Sequence, residues 1–441
     1  MAHIAADRVK ETTATIGTIA LVLAGAATGF RAFSAVMAAN DTCFYCIVGG
    51  AEWEVGFGTF SAGTLTRTTV IDGSSGLGVA VNLSVGMKDV FITVPAQVTG
   101  TGLLTTTPSA DQDNYAPTGL AYCNRLGINA SASISISGLA GGLEAREMTI
   151  SNRSTDFLLI LENENTASTA ANRFSLSNGF PMFLMPGDRI RLAYSSATSR
   201  WQTIAAGSNI GQMGLTVFED FTTTGTPANN GSAGQMAVTF TGTGASAQQS
   251  AYLVDATEKP VGVIQVDTGS TATGRAGVGS TGTDQIVPAQ GPALAVSRVA
   301  IEATVSAAET FQAVCGFSDV LAAGTLTDGA YWNNRWTGAA AEWSQDRASN
   351  TTVTRSATGS PTPDNNYIWL AVFLNAAWTR ADFFYSTDSM NWVKADSPTT
   401  GLPAATRPTA FCAGAIVKSV GTTQRNMSID LAGYRVDMVR G

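Results

Sequence analysis

The chain has 441 residues, 44% of them hydrophobic and only 13% charged, with a formal net charge of −8. An average soluble domain carries about 25% charged residues; this composition excludes a disordered chain, which needs low hydrophobicity with high net charge, and its acidity opposes a nucleic-acid partner. The single histidine, His3, lies near a terminus and is expected outside any ordered site, so the usual general base, proton shuttle and metal ligand near neutral pH is missing.

The length suggests about three domains of roughly 150 residues each. Nearly every segment reads as a short strand between turn residues. Residues 16–27 (IGTIALVLAGAA) form an apolar run that resembles a signal peptide in outline. Asp7 and Glu11 cancel Arg8 and Lys10, and Thr and Gly interrupt the run. A buried strand pair around a Gly25-Ala26 turn is therefore the expectation. The run is too short to span a bilayer. Strands are predicted over 18–23, 42–48, 52–60, 65–70 and 90–94, with Gly49-Gly50 as a hairpin signal. In the second of these, Trp53, Val55, Phe57 and Thr59 alternate with polar or small residues, so one face is buried and the other solvated.

Five cysteines, Cys43, Cys46, Cys123, Cys315 and Cys412, are odd in number and scattered, unlike a secreted disulfide framework. Cys43 and Cys46 match C-x-x-C, but on an extended strand they point to opposite faces, and no second ligand pair exists for zinc. Buried, reduced thiols are expected.

Residues 99–107 (TGTGLLTTT) read as a Gly/Thr linker. A second strand series follows over 134–137, 147–151, 157–162, 182–184, 189–194 and 200–204. Met185-Pro186-Gly187-Asp188 carries turn chemistry before one of these strands. Residues 205–214 form a second small-residue linker. The last block begins at Val217-Phe218-Glu219-Asp220-Phe221 and holds six of the eight tryptophans. Its strands are longer, at 299–305, 310–317, 331–336, 367–374, 381–386 and 427–439. Two sheets of this length would make a jelly-roll sandwich. The expected fold is all-β: two small N-terminal β-sandwich or barrel modules (1–98 and 99–207) followed by a jelly-roll domain (208–441).

Residues 6–13 (ADRVKETT), Thr28-Gly29-Phe30, Asn40-Asp41-Thr42, 44–48, Trp53-Glu54-Val55-Gly56, Arg67-Thr68-Thr69-Val70 and Lys88-Asp89-Val90-Phe91 together resemble a β module of tailed-bacteriophage and prophage virion proteins. The order and spacing hold over most of residues 6–96. The middle block looks like a second phage-fibre module. Its match lies in 111–115 (DQDNY), Pro117-Thr118-Gly119, 170–174 (AANRF), Pro186-Gly187-Asp188 and Ser199-Arg200-Trp201. The last block is similar to concanavalin-like jelly rolls at the ends of phage tail proteins, on Phe218-Glu219-Asp220-Phe221, Cys315-Gly316-Phe317, Asp328-Gly329-Ala330-Tyr331 and Phe383-Phe384-Tyr385. The resemblance implies a tail-fibre or spike-type structural protein on the exterior of a virion. It implies a homotrimer, contacts with other virion proteins through the N-terminal module, and adhesion to host surface polysaccharide through a distal domain. It brings no catalytic residue.

Carbohydrate binding needs an aromatic platform beside polar side chains. Residues 328–347 (DGAYWNNRWTGAAAEWSQDR) have that mixture, and Asn334, Arg335, Trp336 and Trp343 are the candidate glycan patch. On a strand, Trp332, Asn334 and Trp336 face one way and Tyr331, Asn333 and Arg335 the other, and one of these faces must line a core. Ordinary sandwich packing explains the same aromatics. Residues 386–392 (STDSMNW) resemble a sialidase Asp-box with Met390 in place of the glycine and Trp392 one residue early; a hairpin between two strands accounts for them. Paired carboxylates such as Glu162 with Glu164, or Glu342 with Asp346, could serve a glycosidase but have no supporting pattern. Asp364-Asn365-Asn366 lacks EF-hand spacing. No enzyme activity, metal, cofactor, nucleic acid or membrane insertion is expected. The alternatives are a head or tail decoration protein without glycan binding, and a glycan-degrading tailspike.

Overall fold

Short runs rich in Val, Ile, Thr and aromatics, punctuated by glycine turns, form strands throughout. The computed structural model describes residues 2–96, 102–207, 213–219, 221, 226–229, 231–250, 262–280, 291–301, 305–318, 328–357, 359–363, 365–404 and 409–438. Within these the protein is almost entirely β, with short 3-10 turns between strands. The chain forms two compact units. One comprises Met1–Leu103, Gly119–Asn124 and Ala145–Glu147; the other comprises Leu104–Thr118, Arg125–Glu144 and Met148–Gly441.

The first unit holds β1 (Lys10–Thr13), β2 (Leu21–Val22), β3 (Thr42–Gly49), β4 (Glu52–Ser61), β5 (Thr64–Gly73) and β6 (Lys88–Ile92). They form a sheet in the order β1-β6-β3-β4-β5-β2. The alternation expected along β4 is present, but its sense is reversed. Glu54, Gly56, Gly58 and Phe60 face the core, while Trp53 is exposed and Val55, Phe57 and Thr59 are half-buried. The reason is Tyr45, fully buried on neighbouring β3. Its ring fills the space beside both glycines: a Cβ on Gly56 would meet the Tyr45 hydroxyl and lie 2.8 Å from the Thr69 carbonyl oxygen. The glycines are small because the site is crowded.

At the end of that ring sits a closed polar box. The Tyr45 hydroxyl donates to Glu54 (2.7 Å), as do Arg67 Nε (2.7 Å) and the Val81 amide (2.8 Å). Arg67 Nη2 completes the ion pair and also donates to the Val81 carbonyl (2.9 Å). The Glu54 and Arg67 side chains are 0% and 3% exposed. The opposite face of β3 and β4 is covered by His3, which is ordered, contrary to expectation. Its ring stacks on Phe57 (5.5 Å, 7°) and meets Phe44 edge-on (4.9 Å).

The buried strand pair expected over 16–27 does not form. Leu21–Val22 is a two-residue strand on β5, Gly17 and Ala26 make single bridges to Leu83 and Glu11, and Ile16, Ile19 and Val22 are exposed. Here the backbone is held by polar groups: Glu11 accepts the amides of Gly25 (2.6 Å) and Phe33 (2.7 Å), and Gly17 bonds Leu83. Residues 102–106, read as linker, are a strand.

The middle block contributes β7 (Gly102–Thr106), β8 (Cys123–Ile128), β9 (Ile134–Ile136), β10 (Glu147–Asn152), β11 (Leu159–Leu161), β12 (Phe174–Ser175), β13 (Met182–Leu184), β14 (Arg189–Ser195) and β15 (Arg200–Gly207). One sheet runs β12-β15-β14-β10-β8-β7 and a smaller one β13-β11-β9. Pairs β8/β10, β9/β11 and β12/β15 are parallel. Before β14, Pro186 and Gly187 (φ +90°) make the expected turn, closed by the Asp188 amide to Met185 O (3.0 Å).

The last block contributes β16 (Met213–Glu219), β17 (Ser232–Ala233), β18 (Met236–Thr241), β19 (Ser246–Ser250), β20 (Val263–Asp267), β21 (Arg275–Gly279), β22 (Ala293–Ile301), β23 (Phe311–Ser318), β24 (Gly329–Trp336), β25 (Ala341–Ser349), β26 (Thr352–Ser356), β27 (Ile368–Leu374), β28 (Ala381–Ser386), β29 (Val393–Asp396), β30 (Phe411–Lys418) and β31 (Asn426–Met438). Of the second linker, 205–207 lie in β15, 213–214 in β16, and 208–212 outside the described residues; so does Asp220 of the block's opening motif. Two antiparallel sheets face each other as a jelly-roll sandwich. The near sheet runs β19-β20-β31-β22-β27-β28-β29, with β16 also on β31; the far sheet runs β17-β18-β21-β30-β23-β24-β25-β26. Trp332, Phe317, Phe383, Leu370 and Ile429 lie in the core between them.

The near sheet is covered on both faces. Its outer residues Leu294, Trp369, Ala371, Phe373 and Phe384 pack with Leu158, Ile160 and Met185 of the middle block. Polar ties surround this cluster. Arg380 pairs with Asp382 (2.5 Å), donates to the Asp156 carbonyl (3.1 Å) and lies 3.9 Å over the Phe157 ring. Arg435 grips Asp188 with both terminal nitrogens (2.5 and 2.9 Å) and Asp437 with Nε and Nη2 (2.7 and 2.6 Å). All five cysteines are free thiols, four of them buried and Cys46 half-buried.

Candidate functional site

The four residues of the expected glycan patch do not share one surface. Trp343 is 3% exposed within the sandwich core, and Asn334, its cross-strand partner, is 2% exposed. Trp336 packs half-buried against the same core. Arg335 points to the other face of the far sheet, paired with Glu342. The tryptophan face won the interior because burying an indole removes far more apolar surface from water than burying Asn or Arg.

The opposite face of β23–β26 carries a row of hydrogen-bonding side chains instead. Asp346 sits at its centre, fully buried. Its carboxylate accepts from Ser344 Oγ (2.7 Å), Asn333 Nδ2 (2.9 Å) and Arg355 Nε (3.1 Å). Asn333 Nδ2 also donates to Gln312 Oε1 (3.1 Å), and Asn333 Oδ1, buried, accepts no hydrogen bond among the described residues. The register explains the row: Asn333 lies opposite Ser344, Arg335 opposite Glu342, and Asp346 opposite Arg355. Asn333, Ser344 and Asp346 are closed over, whereas the Arg355 side chain is 41% exposed and Arg335 and Glu342 about a quarter exposed. Sequence reasoning named Arg335 for the patch, placed Asn333 on its face without giving it a role, set Glu342 and Asp346 aside as a carboxylate pair with no supporting pattern, and missed Ser344, which reads as an ordinary solvent-facing residue. The one available signal was period-two spacing of Ser344 and Asp346 opposite Asn333.

The candidate carboxylate pairs are not pairs. Glu342 and Asp346 stand four residues apart on one strand, about 13 Å at the usual rise, beyond the roughly 5–9.5 Å used in glycoside hydrolysis. Glu164 is bound by Arg200 (2.7 Å). Glu162 is buried against the near sheet's loop, accepting the Trp392 amide (2.8 Å) and Asn165 Nδ2 (2.5 Å). Burial pushes its carboxyl up to about 7, aided by the charge of Asp111 and opposed by the Trp392, Asn165 and Ser135 donors. Below pH ~4.5 folded and unfolded chains both hold this proton. From there to about 7 only the folded chain keeps it, so stability falls with rising pH, by about 3 kcal/mol, and then levels. Urea unfolding from pH 4.5 to 8 should show that decline reduced in Glu162→Gln; parallel curves for the two proteins would refute the assignment.

Residues 386–392 form the expected hairpin end between β28 and β29. Asp388 accepts the amides of Met390 (2.9 Å) and Asn391 (2.8 Å). Among the described residues no three His, Cys, Asp or Glu side chains could hold one metal ion. Asp364 of the Asp/Asn loop lies outside them. No described helix is long and apolar enough to cross a membrane.

No protein-family model matches the sequence, and no curated protein matches it. Solved structures similar to this chain include a protein of unknown function from Shewanella oneidensis MR-1, at 14% identity over 53% of this chain and 92% of that one, with a TM-score of 0.40. Another is the CBM2 module of the evolved Dit of Lactobacillus casei BL23 phage J-1, at 9% identity over 52% and 99%, TM-score 0.29. A third is the exoplasmic/lumenal domain of VIP36 in a Ca2+/Man3GlcNAc-bound form, at 12% identity over 47% and 86%, TM-score 0.31.

Proposed function

We propose that this chain is a structural appendage protein on the exterior of a tailed-phage virion, of tail-fibre or spike type, whose jelly-roll domain adheres to host surface polysaccharide. The observation that carries the adhesion reading is the polar row on the far sheet. At its exposed edge the guanidinium groups of Arg335 and Arg355 and the Glu342 carboxylate supply both donors and acceptors, which is what adjacent sugar hydroxyls require, while buried Asn333, Ser344 and Asp346 hold that edge in place. Arg335, Glu342 and Arg355 keep part of that chemistry in water. The virion setting is supported by the sequence resemblance over residues 6–96. Exposed apolar side chains in the first unit, including Ile19, Leu77, Val85 and Met87, suit packing against virion partners or in a homotrimer, where three weak sites would act together.

The test is a glycan array probed with the intact chain after light scattering has fixed its mass. A trimer that binds, with binding lowered at least tenfold in both Arg355→Ala and Arg335→Ala, is expected. A monomer would remove the trimer, and unchanged binding in both variants would remove the site. Complete burial of Asn333, Ser344 and Asp346 favours a second reading, a decoration protein in which the row only braces the sheet; that reading predicts an array with no binding.

A further inference from the structure

We propose that a cavity between the middle block and the near sheet is a binding site for a compact, uncharged apolar molecule such as a fused aromatic ring or a short acyl chain. This ligand is distinct from the glycan of the preceding section, and the cavity lies on the other sheet of the sandwich. It has a volume of about 320 Å³ and opens beside the turn that leads into β13. Its walls are Phe180 and Met182 on one side and Leu294, Trp369, Trp392 and Leu431 on the other. Phe180 stands at the mouth, 42% exposed, with its ring edge-on to Trp369 at 5.5 Å.

Three physical points choose the ligand. The volume is at the lower end of the roughly 300–1,000 Å³ of small-molecule sites. Water held there would find few partners, since the hydroxyl-bearing or charged residues on the wall are Ser177, Tyr434 and Arg435, and Tyr434 packs into the sandwich core; apolar cavities of this kind take up hydrocarbon in preference to water. A sugar is disfavoured for the same reason, because its hydroxyls would be stripped of hydrogen bonds. Charge then separates neutral from anionic ligands. Arg435 is engaged by two buried carboxylates, Asp188 and Asp437, so this edge carries a net negative charge and repels an acid head group.

The experiment is ligand-observed NMR and calorimetry on the intact chain, with naphthalene as the probe and 1-naphthoate and glucose as controls. Saturable naphthalene binding is expected, at least tenfold tighter than 1-naphthoate, with none for glucose. Leu431→Trp should fill the space and abolish it, and Val296→Phe, at another wall position, does the same job if the first variant does not fold. Phe180→Ala, at an exposed position, should weaken binding severalfold. Unsaturable naphthalene binding, equal binding of the naphthoate, or binding that survives both filling variants overturns the proposal. So does a fall in oligomer mass in Leu431→Trp, which would show the cavity to be occupied by a second copy.

Discussion

Arg67→Met is expected to destabilise the N-terminal unit by about 3–5 kcal/mol, the usual result of removing one partner from a buried ion pair. Glu54 has no access to water, and without the guanidinium its charge would rest on the Tyr45 hydroxyl and the Val81 amide alone. Two open carbonyl contacts, at Gly17 (3.2 Å) and Val81 (2.9 Å), would lose their donor as well. Chemical denaturation followed by near-ultraviolet circular dichroism reads the loss. The double variant Arg67→Met/Glu54→Gln should be less destabilised than the sum of its single changes, because most of the penalty is the stranded charge rather than the missing contact. A single-variant loss below about 1 kcal/mol would mean that the box is hydrated.

Arg435→Met should have a comparable effect on the second unit, again about 3–5 kcal/mol. One guanidinium there serves Asp188 of the middle block and Asp437 of the near sheet, whose side chains are 4% and 1% exposed. The variant leaves two buried carboxylates facing each other. The penalty should therefore shrink in acid, where protonation removes the repulsion. Burial already raises the Asp437 carboxyl above its ordinary range. The melting temperature is expected to fall by several degrees at pH 7 and by clearly less at pH 4. An equal drop at both values would show that packing of the Arg435 stem, and not charge, holds the two sheets together.

Strand positions were largely legible in the sequence, since alternation and glycine punctuation are local signals: 42–48 became Thr42–Gly49 and 381–386 is the strand itself. Facing was harder. A glycine in a strand reads as an exposed gap, yet Gly56 and Gly58 are small because Tyr45 from the neighbouring strand occupies their side-chain space, and that depends on pairing. The parallel pairs β8/β10 and β9/β11 were hidden likewise, because partner choice is a long-range matter. At the far sheet the sequence established that Trp332 and Asn333 look opposite ways, but not which of them looks inward. The tryptophans settled it by going inside, and the polar network that this left on the other face has no compositional signature.

The position of β31 has a consequence for biosynthesis. Residues 426–438 lie between β20 and β22 and also pair with β16, so the near sheet is divided until they leave the ribosome. Until then the middle block has only an incomplete surface against which to bury Leu158 and Ile160, which lie more than two hundred and sixty residues upstream. Nascent chains of this protein therefore pass through a long interval with exposed strand edges, the condition in which chaperone capture competes with aggregation.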